Sequence, residues 1–186
     1  ELFGTIRDYI KKIDGHCSIY AAPFAVNLDA EDQNWVEPDI SVICDHSKLT
    51  DRGCSGAPDW IIEITSPSTQ GHDYLKKLLL YQKHNVREYW IVNPSARSIT
   101  VYDFEHGDSA GYSFDDHIPV AIYGSDLKIC ISDLLNKKPA PAPTETGFAK
   151  ISLTRVSGKM QSNKHPYCII FQAPWQEVYF LYPFLI

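Results

Sequence analysis

Residues 60–65 read Trp60-Ile61-Ile62-Glu63-Ile64-Thr65, an acid set inside a run that is apolar on both faces of a strand. Such a run belongs in the middle of a sheet covered on both sides. A carboxylate there is costly to keep charged unless something compensates it. The next residues along the chain narrow the fold further. Ser66-Pro67-Ser68-Thr69-Gln70-Gly71 breaks the strand, and a helix is predicted from about Asp73 to His84. Asp73 sits in the first turn, where negative charge is favoured, and Asn85 can take the left-handed stop. Glu88 to Val92 then reads as the next strand. Strand, helix, strand around a central sheet predicts an α/β (α+β) architecture.

The flanking segments extend this frame. Leu2, Ile6, Tyr9, Ile10 and Ile13 recur at helical spacing, with Gly15 as a stop. Ser18 to Val26 and Asp39 to Cys44 read as strands, separated by a polar loop at 29–34. Asp45 to Pro58 is rich in turn formers and reads as a loop. Asn93 to Ser98 turns the strand at 88–92 back into Ile99 to Phe104 as a hairpin. Two further strand-like runs lie around His117 to Tyr123 and Leu127 to Ile131.

At Asn136 the character of the chain changes. Lys137-Lys138-Pro139-Ala140-Pro141-Ala142-Pro143 reads as a Pro/Ala linker. The final stretch from Cys168 to Ile186 is aromatic and apolar but carries Gln, Glu and Pro, which makes it a poor membrane-spanning helix. The expected organisation is therefore a domain over 1–135 followed by a linker and atypical tail over 136–186. The chain opens on Glu1, with no signal peptide, and is expected to lack its true N-terminus.

The formal net charge of -6 weighs against tight autonomous binding to nucleic acid. A local basic surface at Lys76, Lys77, Lys83, His84 and Arg87 is the counter-expectation, because charge distribution matters more than its sum. Five scattered cysteines with no Cys-x-x-Cys pair argue against a disulfide framework and a structural zinc site, and predict reduced thiols in a cytoplasmic protein. The seven histidines show no metal-ligand spacing.

Three residues between 37 and 94 carry chemistry in combination. Asp39 heads one strand, Glu63 lies inside another, and a lysine follows on the helix. Alternation puts Ile61, Glu63 and Thr65 on one strand face, opposite Trp60, Ile62 and Ile64. Two carboxylates converging with a lysine make a site for a divalent cation and a phosphate. Lys77 lies three residues after Tyr74 and four before Tyr81, which gives it an aromatic surround. Lys76 points about 100° away around the helix, so the two lysines cannot share a role. Taken singly, each residue has an ordinary reading: a strand-entry Asp, a buried ion-paired Glu, a solvated Lys. Tyr89 and Trp90 read as core.

Several motifs fall in order with matching gaps: Glu37-Pro38-Asp39-Ile40, Ala57-Pro58-Asp59-Trp60-Ile61-Ile62-Glu63-Ile64, Ser66-Pro67-Ser68-Thr69, Asp73 with Lys77-Leu78 and Tyr81, and Val86-Arg87-Glu88-Tyr89-Trp90-Ile91-Val92-Asn93-Pro94. Over roughly Glu1 to Leu135 the chain resembles the Uma-two family, a bacterial group classed with restriction endonucleases in the PD-(D/E)XK superfamily. The resemblance implies a restriction-endonuclease-like core, a mixed central sheet flanked by helices. It implies that Asp39 and Glu63 bind a metal, that the carbonyl of Ile64 is a backbone metal ligand, and that Lys77 acts in catalysis. Thr65 stands where the superfamily usually has its lysine, which in this family has moved to the helix. The family's segment ahead of the first helix is expected to be lacking, and Asn93 stands where the family often has Asp. The implied activity is Mg2+-dependent hydrolysis of DNA phosphodiesters, with Mn2+ as substitute and a homodimer as the working unit. The rival expectations are an inert nuclease-fold module that binds nucleic acid or a partner protein, and a structural domain with a Glu63–Lys77 ion pair and no metal.

Overall fold

The computed structural model describes residues 1–29, 32–65 and 72–136, with the side chains of 72–74 excepted. The Pro/Ala linker and the aromatic tail lie outside the described residues, as does the Ser-Pro-Ser loop. Seen in order, the chain opens with helix α1 (Leu2–Lys12) and strands β1 (Ser18–Ala21), β2 (Val26–Asn27), β3 (Trp35–Val36) and β4 (Ile40–Ile43). A 3-10 turn (His46–Lys48) leads to β5 (Leu49–Thr50), β6 (Gly53–Ser55) and β7 (Trp60–Ile64). Helix α2 (His72–Lys83) connects to β8 (Glu88–Asn93), followed by β9 (Ser98–Asp103) and β10 (Asp108–Ser113). Short strands β11 (Ile118–Pro119) and β12 (Lys128–Ile129) precede helix α3 (Ile131–Asn136).

The main sheet runs β1-β4-β7-β8-β9-β10. Strands β7 and β8 pair in parallel across α2, while the other neighbours are antiparallel. β7 is therefore interior, which its two apolar faces require. Trp60 and Ile62 face a core with α1, contributed by Ile6 and Ile10, together with Trp90, Val92 and the C-terminal Ile118, Ile129 and Leu134. Ile61 faces the other core, with Tyr81 of α2, Tyr89, Ile43 and Val26. Edge-to-face pairs mark both sides: Trp60 on Trp90 with centroids 5.0 Å apart, and Tyr81 on Tyr89 at 5.0 Å. Asn85 takes φ 63° just after α2, the left-handed stop expected of it.

Several expectations are corrected. The single strand at 18–26 is two: Pro23 has no amide to donate to a ladder, and β2 leaves for a second sheet of order β3-β2-β6-β5. The loop at 45–58 contains the β5–β6 hairpin of that sheet. Gly53 is required there: it sits at φ +125°, and a Cβ would lie 2.1 Å from the Ala25 carbonyl oxygen. The run at 117–123 gives only β11 and a 3-10 turn, and the run at 127–131 gives the short β12, with Ile131 already opening α3. Strand β10 adds a third antiparallel member beyond the hairpin, over a segment with no strand expectation. Cys17 and Cys44 form a disulfide rather than two reduced thiols, while Cys54 and Cys130 are free and buried. Among the described residues, no helix is long and apolar enough to cross a membrane.

A second buried acid lies on the α1 face of the sheet. Glu88 is 0 % exposed and accepts from Trp90 Nε1 at 2.6 Å and the Ile122 amide at 2.9 Å, fastening the 3-10 turn Ala121–Tyr123 to β8. Burial raises its carboxyl above the ordinary value of 4.5, against the pull of those donors. The folded protein thus holds the Glu88 proton more tightly than the unfolded chain does. Its stabilising contribution is full at low pH and is lost as pH climbs from 4.5 through the raised value. Glu88→Gln cannot accept from all of these donors and is expected to cost about 1–3 kcal/mol. Urea melts across acid pH should also show that the variant lacks this pH slope.

Candidate active site

Asp39 stands immediately before β4, whose register on β7 pairs Ile40 with Ile62 and Ser41 with Ile61. One step further along that ladder, Asp39 and Glu63 share the face covered by α2. The Asp39 carboxylate is anchored by the strand beside it: Oδ2 accepts from the Ile64 amide at 2.7 Å. This contact joins the two motifs and fixes Asp39 beside the Ile64 main chain. The Ile64 side chain itself is exposed.

Glu63 is 8 % exposed, and both carboxylate oxygens are engaged. Lys77 Nζ lies 2.9 Å from Oε2, and Tyr81 Oη donates to Oε1 at 2.7 Å. Lys77 and Tyr81 are four residues apart on α2 and so project from one side of the helix. Lys76 is exposed, one position round the helix, and takes no part in this contact. Burial raises the Glu63 carboxyl above its ordinary value; Tyr81 and Lys77 pull it down, and the negative charge of Asp39 pushes it further up. Tyr81→Phe removes one of the lowering donors. The Glu63 pKa is expected to rise further in that variant, as followed by carbon-detected NMR titration of the carboxyl. An unchanged titration would mean that the Tyr81 hydroxyl does not tune this acid.

The donor set suits a hard divalent cation. Two carboxylates face one lysine, which leaves a net negative charge to balance, and all donors are oxygens. Ser41 Oγ and Thr65 Oγ1, two residues from Asp39 and Glu63 on that same face, are buried and have no hydrogen-bond partner among the described residues. Orphaned hydroxyls of this kind are expected beside a place that takes water or an ion. Tyr81 is the contributor that reading the sequence missed. Its spacing from Lys77 marked a shared helix face but not a hydrogen bond to Glu63.

The expected basic surface is smaller than its residue count. Lys77 is committed to Glu63, and Arg87 bridges Asp59 at 3.2 Å and Glu105 at 2.7 Å. Lys76 and Lys83 remain exposed.

A mixed sheet with one parallel strand–helix–strand step, bearing acids at the adjoining ends of β4 and β7, defines a nuclease-like α+β class. The Uma2 (Uma-two) family model, described as "Putative restriction endonuclease", matches residues 1–124. The chain belongs to this family. A crystal structure from Anabaena variabilis ATCC 29413, described as a putative nuclease belonging to DUF820, has a similar fold: TM-score 0.58 at 24% identity, over 72% of this chain and 75% of that one. No curated protein matches the chain. Proteins of the restriction-endonuclease-like class generally use divalent metal ions.

Proposed function

We propose that this chain is a Mg2+-dependent DNA endonuclease in which Asp39, Glu63 and the Ile64 carbonyl hold the metal and Lys77 assists the chemistry. The observation that carries the reading is the convergence of Asp39, Glu63 and Lys77 from three elements onto one sheet face, with the Ile64 main chain bonded to Asp39. The ion, when bound, polarises the phosphate and offsets the charge that builds on it.

The remaining roles belong to the chain. The Ile64 amide orients Asp39, and Tyr81 holds Glu63 in one rotamer while leaving Oε2 toward Lys77. Paired with the Glu63 carboxylate, Lys77 supplies a positive charge beside the phosphate. Its side chain is 31% exposed, so it can reach a ligand from solvent while staying tethered to the site.

Because the ion binds the folded state, Mg2+ or Mn2+ should raise the melting temperature by mass action. Asp39→Asn is expected to abolish that shift. A folded wild-type protein with no metal-dependent shift would select the ion-pair reading instead. The net charge of -6 and the commitment of Lys77 and Arg87 to carboxylates favour, as second reading, an inert module that binds without cutting. That reading predicts salt-sensitive DNA binding with no strand scission.

A further inference from the structure

At the opposite end of β4 from Asp39, the chain assembles a donor set that the nuclease reading does not use. Helix α1 stops sharply: Asp14 takes φ 50°, and the amides of Asp14 and Gly15 bond back to Lys11 and Ile10 at 3.2 and 2.9 Å. This turn delivers His16 and Cys17 straight into β1. The β1–β4 register pairs Ser18 with Ile43, so the next step brings Cys17 against Cys44, with Cα atoms 3.9 Å apart. The His16 ring and the two sulfurs then offer three ligand atoms that all lie within 4.8 Å of one another.

Tetrahedral zinc, with bonds of about 2.0–2.3 Å, separates its ligand atoms by about 3.3–3.8 Å; the two sulfurs, bonded to each other in the disulfide, can take that spacing only after reduction. His16 is exposed and both cysteines are half-buried, which leaves an entry path and a sheltered floor. The Cys44 main chain is held in turn: its amide donates to Asp59 Oδ2 at 2.7 Å, and Asp59 Oδ1 pairs with Arg87. Supporting bonds of this sort fix a ligand's position. No local spacing announces the site, because it is made by strand pairing between residues 27 apart in sequence.

We propose that the reduced protein binds one soft divalent cation of the Zn2+ type through Cys17 Sγ, Cys44 Sγ and His16. The disulfide and the metal site exclude each other. Reduction by a dithiol breaks the S–S bond and transfers two electrons and two protons to the two sulfurs, while the reductant closes to its own disulfide. The cation then displaces both thiol protons. In either state α1 and the edge strand β1 are tied to β4, the strand that begins beside Asp39. Two thiolates and an imidazole select a softer ion than the carboxylate pair at the other end of the strand.

Co2+ is the probe. The full chain, reduced and freed of reductant without oxygen, is titrated with Co2+ and followed by near-ultraviolet sulfur-to-cobalt charge-transfer absorption. The expected result is a band that saturates at one equivalent, is absent from the oxidised protein, and is lost in Cys17→Ser/Cys44→Ser. His16→Ala should weaken binding by at least about tenfold. Cys130→Ser should leave the band unchanged, which separates this site from the His117, Cys130 and Asp133 group. A folded, reduced wild type without the band, or a band equal in reduced and oxidised protein, overturns the proposal even if the double variant fails to fold. Carboxylate ligation of Co2+ at Asp39 and Glu63 gives no thiolate band, so this result and the nuclease reading stand or fall separately.

Discussion

Glu63→Gln should reduce metal-dependent nicking of supercoiled DNA to the level of an EDTA blank, a loss of at least about a hundredfold. That corresponds to removing roughly 3 kcal/mol of transition-state stabilisation, within the range a catalytic metal supplies. The amide keeps the size of Glu63 and can still accept from Tyr81, so the fold should survive. Lys77, 31% exposed, can turn its ammonium to solvent when its partner becomes neutral. The same variant should show no Mn2+-dependent rise in melting temperature. Retained cutting by a folded Glu63→Gln protein would remove Glu63 from the site.

The two lysines of α2 provide the second large effect. Lys77→Ala is expected to lower cleavage about a hundredfold, comparable with removing one charge-stabilising donor from a preorganised site. Metal binding should persist in it, because Lys77 is a neighbour of the proposed ligands and not one of them. The metal-induced thermal shift should therefore be kept or enlarged while cutting is lost. Lys76→Ala, on the exposed side of the helix, should stay within a few-fold of wild type. Equal losses in both variants would mean that the lysines act as a diffuse basic surface and would remove the special role given to Lys77.

The central strand and its acid were legible because their signals are local. An apolar run with an acid at its fourth position, followed by a breaker and a helix, allows few placements in a sheet. The Asp39 motif was legible for a related reason: a Pro-Asp pair at a strand entry places a carboxylate at a strand end. What sequence could not show is what pairing creates. The second sheet is built from strands of two and three residues, too short for any alternation to be read. Glu63 and Glu88 are both acids within apolar strands, and nothing local separates them. Only the register, which turns Glu63 toward α2 and Glu88 toward the α1 face, assigns one to the candidate site and the other to a structural clasp. The cysteines failed for the same reason. Cys17 and Cys44 look unrelated until β1 lies on β4, and the expectation of reduced thiols rested on spacing alone.

The central claim is that the Asp39, Glu63 and Lys77 constellation cuts DNA with a divalent ion. Its most direct test is conversion of supercoiled plasmid to nicked circles by the purified, folded wild-type chain in Mn2+, beside the same reaction in EDTA. The account predicts nicked product that accumulates with time in Mn2+ and none above background in EDTA. Plasmid left intact by protein shown to be folded and metal-bound would contradict it.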